Sequence, residues 1–123
     1  ADVTSLRELE AIQDEWTDRF GKIPQEVLRL IQVVKIRQLA LDAKANLIRE
    51  IEHNVRIFSD YDIFEWKEIK SKLPENLAKR LNATNAPVSS QNGRLIINLN
   101  CTGLSGDEKL NLLQDLFQNI TNQ

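Results

Sequence analysis

The sequence predicts an α+β fold with an N-terminal antiparallel helix pair, a small, largely antiparallel sheet from two hairpins, and further amphipathic helices. Three observations carry this. Apolar residues recur at helical spacing from Leu6 to Leu41 and from Leu110 to Ile120. Short runs rich in β-branched residues, Leu47–Glu52 with Val55–Ser59 and then Arg94–Asn100, stand between them. No strand–helix–strand rhythm of a parallel sheet links those runs.

The first helix is expected from about Thr4 to Phe20. Ser5 and Glu8 have the spacing of a capping box, which satisfies two free N–H groups at a helix start. Leu6, Leu9, Ile12 (or Ala11), Trp16 and Phe20 form one apolar stripe. Glu8, Glu10, Asp14, Glu15 and Asp18 make the rest acidic. Gly21 suits the left-handed position just past a helix end. Pro24 then suits a helix start, where a missing N–H costs nothing. The second helix runs to about Ala43. With Val27, Leu28, Leu30, Ile31, Val33, Val34, Ile36, Leu39 and Leu41 it is apolar nearly all round. Such a helix is expected to be central and the most buried element. The short link makes the two helices antiparallel neighbours.

Leu47–Glu52 and Val55–Ser59, separated by His53-Asn54, are expected to form the first hairpin. Asp62 and Glu65 are a second cap pair, opening a helix with Ile63, Trp66, Ile69 (or Lys70) and Leu73 on one side. Pro74 breaks or restarts it, and Leu77, Ala78 and Leu81 carry it to about Leu81. Asn82–Pro87 has loop composition. Asn92-Gly93 is a strong turn signal, because both residues accept positive φ. It places a strand at Arg94–Asn100 and a polar partner strand near Pro87–Gln91. Ser105 and Glu108 are a third capping box, and Leu110, Leu113, Leu116 (with Phe117) and Ile120 define the last helix.

At 123 residues the chain is expected to be one domain, residues 1–123. Hydrophobic residues at 41% and charged residues at 28% are those of a folded soluble domain. A net charge of −2 excludes a strongly basic nucleic-acid wrapper. No apolar run approaches the roughly 18 residues that cross a bilayer, so no membrane partner is expected. Ala1-Asp2-Val3-Thr4 shows no basic region or apolar stretch of a leader. With a single cysteine as well, a cytoplasmic setting is expected.

The same counts remove most enzymes. One Cys and one His make no multi-histidine or cysteine zinc site, and neither phosphate-cradling glycine motif is present. No catalytic residue, metal or cofactor is expected. Cys101 would need a lowered pKa to act as a nucleophile and reads better as a small buried hydrophobe. His53, beside Glu52, reads as a surface residue. Asn82-Ala83-Thr84, Asn100-Cys101-Thr102 and Asn119-Ile120-Thr121 match the glycosylation acceptor pattern and read as chance in an Asn-rich chain. Lys67, Lys70, Lys72, Lys79 and Arg80, with Trp66 among them, offer an alternative function as a nucleic-acid-binding module on the Lys67–Arg80 helix face. Glu65, Glu68 and Glu75 interleave there, as on an ordinary solvated face.

Glu15 and Asp18 are the most informative pair. They stand one turn apart near the end of a helix, where negative charge opposes the dipole. Arg19, four residues after Glu15, offsets this locally. Both carboxylates are expected to be exposed, on the face opposite Leu9, Ile12 and Trp16, awaiting cations on a partner.

Glu15-Trp16-Thr17-Asp18-Arg19-Phe20-Gly21-Lys22-Ile23-Pro24, then Val27, Leu30 and Lys35–Ala40, resembles the start of the C-terminal domain of the bacterial transcription-repair coupling factors. That family reads E-L-x-D-R-F-G-x-L-P-x-x-V-x-x-L-L, followed by a leucine-rich helix ending in L-G-I. The likeness is close from about Ser5 to Ala45, and one of pattern beyond. Lys44 stands where the family has the Gly of L-G-I.

The resemblance implies a non-catalytic, autoinhibitory domain within an ATP-driven DNA translocase that displaces stalled RNA polymerase. The domain would pack on a UvrB-like module of the same polypeptide, mask the UvrA-binding surface and restrain the motor. Other domains would contact DNA, and UvrA and RNA polymerase would be indirect partners. Glu15, Asp18 and Arg19 would belong to the protein interface.

Overall fold

The computed structural model describes residues 6–123, without the side chains of Leu6 and Leu9. The expected start at Thr4 and the Ser5 cap lie outside the described residues. Among those described, the elements run α1 (Leu6–Phe20), α2 (Gln25–Asp42), β1 (Ala45–Ile51), β2 (Asn54–Ser59), α3 (Ile63–Ser71), α4 (Glu75–Ala78), β3 (Leu81–Asn85), β4 (Leu95–Asn100) and α5 (Gly106–Thr121). The four strands form one antiparallel sheet in the order β1-β2-β4-β3, so the fold is α+β with an N-terminal antiparallel helix pair.

Local signals set most helix ends. Gly21 has φ +75 and its N–H donates to Thr17 O at 3.0 Å, closing α1 as a left-handed cap does. Asp62 and Glu65 form a reciprocal capping box on α3, and Ser105 and Glu108 form one on α5. Lys44 follows α2 with φ 60, a left-handed backbone shape that a glycine would adopt without strain. Its ammonium lies 5.5 Å from the Tyr61 ring centre and 3.7 Å from Glu65, which help hold the side chain there.

Several sequence expectations are corrected. The first hairpin turns at Glu52-His53, one residue earlier than expected, with Glu52 at positive φ. Helix does not reach Leu81: α4 ends at Ala78, and Leu81–Asn85, read as the end of a helix and the start of a loop, is strand β3. The strand that precedes β4 in its hairpin is therefore β3 and not Pro87–Gln91, and residues 86–94 form a long connection in place of a tight Asn92-Gly93 turn. Gly93 is needed for another reason. A Cβ there would lie 2.3 Å from the Ser59 carbonyl oxygen, and Arg94 N–H donates to that oxygen at 2.8 Å.

Side chains alternate across a sheet. One face gives Val55, Ile57, Leu95, Ile97, Leu99 and Leu81 to the core. Ile36, Leu39, Trp66, Leu77, Leu113, Leu116, Phe117 and Ile120, from α2 to α5, join the same cluster. A further correction concerns α2, which is not the most buried element. Only Ile36, Leu39 and Ala40 of its residues are buried, while Leu30 is 66% exposed. One side of α2 lies along α5 through polar contacts, Arg29 to Asp107 at 2.9 Å and Gln32 to Asn111 at 2.7 Å. On the remaining apolar side Leu30 and Val33 are exposed, while Val27, Leu28, Ile31 and Val34 are only partly buried.

Candidate functional site

α1 exists because its residues favour helix and carry an apolar stripe, but that stripe finds little cover. Ile12 and Phe20 are exposed, and Trp16 is only half-buried. The Trp16 and Phe20 rings pack on each other at 5.1 Å, tilted by 54°, and Trp16 Nε1 is enclosed without an acceptor among the described residues. Leu30 and Val33 of α2 add further exposed apolar surface.

Glu15, Asp18 and Arg19 are all exposed. Arg19 Nη2 lies 3.7 Å from Glu15 Oε1, the local offset that the spacing predicts. An exposed pair of this kind contributes about 0–1 kcal/mol and leaves both groups available. Asp18 forms no ion pair among the described residues. The carboxylates are not both opposite the apolar stripe. At about 100° per residue, Glu15 sits roughly 100° from the stripe's centre and Asp18 about 160°. Glu15 thus flanks the stripe, so apolar and acidic surface adjoin on one helix.

The other sequence candidates resolve differently. Trp66 is 2% exposed within the core and cannot stack on a base. Lys70 Nζ donates to Leu81 O at 3.0 Å, Arg80 donates to Asn100 O at 3.1 Å, and Lys72 pairs with Glu68 at 3.6 Å. The Lys67–Arg80 face is thus a mixed, partly engaged surface without its aromatic. Cys101 is buried, and burial raises its thiol pKa against the opposing pull of Lys109 and Arg80, the reverse of nucleophile activation. His53 is exposed in the hairpin turn. Asn100 Oδ1 accepts from Thr102 N–H, and Asn119 donates to Asp115 O, so these two acceptor motifs hold local structure. Among the described residues, no cluster of metal-ligating side chains occurs and no helix is long and apolar enough to cross a membrane.

Sequence reasoning missed the helix-free face of the sheet. There Leu47, Phe58, Ile96 and Thr84 form one cross-strand row, and Arg49, Arg56, Asn98 and Asn82 form the next. The signal was the hairpin register, and a turn one residue late conceals it.

The family model of the TRCF domain matches residues 1–69. A solved structure described as the C-terminal domain of transcription-repair coupling factor superposes with a TM-score of 0.73 at 15% identity, covering 98% of this chain and 73% of that one. At that identity the likeness shows the fold. No curated protein matches the chain by sequence.

Proposed function

The chain belongs to the TRCF-domain family, and from that premise we propose that it is a non-enzymatic regulatory domain of a transcription-repair coupling factor, acting in transcription-coupled nucleotide excision repair in the cytoplasm. It docks through α1 on a UvrB-like module of the same polypeptide, masks the UvrA-binding surface and restrains the DNA translocase. Contact with UvrA and RNA polymerase is indirect, and DNA is held by other domains.

The observation that carries this reading is the state of α1. Its acidic residues Glu15 and Asp18 and its apolar residues Ile12 and Phe20 are exposed together. Apolar centre with charged margin is the make-up of an interface that forms and releases. Arginines on the partner would meet the carboxylates in charge-assisted pairs, worth about 1.5–3 kcal/mol once partly desolvated. The closed state is then favoured by contacts that the open state lacks, which is what a switch requires.

Glu15→Lys with Asp18→Lys tests it. Both side chains are exposed, so the isolated domain should keep its melting behaviour to within about 0.5 kcal/mol. In the protein that joins the domain to its UvrB-like module, UvrA affinity and basal ATPase should both rise. Lost stability with unchanged UvrA affinity would make the pair structural and sink the assignment.

A further inference from the structure

The sheet has a second face, and its composition is unlike the rest of the molecule. Every helix residue in the core packs on the Val55–Ile57–Leu99 side. The other side presents Leu47, Arg49 and Ile51 of β1, Asn54, Arg56 and Phe58 of β2, Ile96, Asn98 and Asn100 of β4, and Asn82 and Thr84 of β3. Asn98 Nδ2 reaches Asn54 Oδ1 at 3.4 Å, as residues on one face do. In a chain with 18 acidic residues, this face holds none.

Arg49 and Arg56 are direct cross-strand partners and both are exposed. Neither guanidinium has an ion pair or hydrogen bond among the described residues. Glu50, the nearest acid along β1, points to the other side and is taken by Lys109 at 3.0 Å. Two like charges placed opposite each other destabilise a strand pair. An anion between them removes that cost. On an inner strand, Phe58 is half-buried and flanked by Leu47 and Ile96, an aromatic platform in the cross-strand row next to the arginine pair.

We propose that the helix-free face of the sheet binds single-stranded nucleic acid, with a base stacked on Phe58 and backbone phosphates held by Arg49 and Arg56. Base stacking on a sheet aromatic beside cationic side chains is a recurrent way to hold unpaired strands. Asn98, Asn82 and Asn54 offer amide donors and acceptors to base edges. An acidic peptide fits less well. A strand-adding peptide takes a sheet edge, β1 or β3, and makes no use of an aromatic at the centre of a face. A duplex hides its base faces and cannot stack on Phe58. The net charge of −2 weakens long-range attraction, so binding should be local and salt-sensitive.

The experiment is fluorescence anisotropy of a short labelled oligothymidylate titrated with the 123-residue chain at low salt. Two phosphate contacts predict a log–log salt slope of about −1.4, at about −0.7 for each phosphate of a single strand. Arg49→Gln with Arg56→Gln should lower affinity about tenfold and flatten the slope. Phe58→Ala should lower affinity about tenfold with the slope retained. If Phe58→Ala fails to fold by circular dichroism, the exposed arginine pair decides alone. Lys67→Gln with Lys79→Gln should change nothing. The proposal is overturned by no binding at low salt, by unchanged binding in the folded arginine variant, by loss of binding in the lysine variant, or by tighter binding of a duplex or a polyglutamate peptide.

Discussion

Phe117 on α5 and Phe20 on α1 both stand on apolar stripes of regular helices, yet Phe117 is 1% exposed and Phe20 is 67% exposed. Around Phe117 the sheet, α3 and the end of α2 close on one cluster. Phe20 packs on the ring of Trp16, four residues away on the same helix, and stays exposed. A helical stripe states that a surface must be covered, but does not state that the same chain covers it. In this molecule the C-terminal stripe is spent on folding, and the described part of the N-terminal one stays largely exposed.

The sharpest way to break that contrast is Phe117→Ala. Truncating a fully buried aromatic should cost about 3–5 kcal/mol, read from denaturant unfolding of the isolated chain. Lys44→Gly comes next, at the join between α2 and the sheet. It relieves a left-handed non-glycine residue but gives up the contacts to Tyr61 and Glu65. These effects nearly cancel, and a gain of less than about 1 kcal/mol is expected. A clear loss would show that the lysine contacts outweigh the backbone strain. Phe20→Ser should cost under about 0.5 kcal/mol, because an exposed side chain has little burial to lose. A penalty near that of Phe117→Ala would mean that α1 belongs to the core and would undo the comparison.

The smallest effect concerns pH and the first turn of α5. Glu108 has its pKa lowered by its hydrogen bonds to the Ser105 backbone and side chain, and it is exposed. A folded-state pKa below the unfolded one stabilises above the usual glutamate range. That stabilisation is lost as pH falls through the depressed folded value. Glu108→Gln should therefore flatten the acid limb of the melting-temperature profile and leave neutral pH nearly unchanged. An acid limb as steep as that of the unmodified chain would place the sensitivity elsewhere.

Much of the candidate interface was legible in advance. Glu15, Asp18 and Arg19 lie on one helix, where three- and four-residue steps fix neighbours without any tertiary knowledge, and the Glu15–Arg19 pair follows from that spacing alone. The arginine pair on the sheet was not legible. Under a His53-Asn54 turn, Arg49 would face Phe58; the observed register sets it opposite Arg56.

The sequence by itself determined the elements whose ends are made by nearby residues: α1 stopping at Gly21, α3 and α5 opening at the Asp62–Glu65 and Ser105–Glu108 boxes, and the family motif running from Glu15 to Pro24. Capping is a contact over three or four residues, so local chemistry suffices to specify it. Only the tertiary structure decided that Leu81–Asn85 is a strand. Its Leu-Asn-Ala-Thr-Asn residues have weak strand preference of their own, and β4 supplies the hydrogen bonds while Leu81 enters the core. The tertiary structure also decided which apolar stripe is buried, because burial depends on what lies opposite a surface. Pairing between distant segments settles that, and no spacing along the chain encodes it.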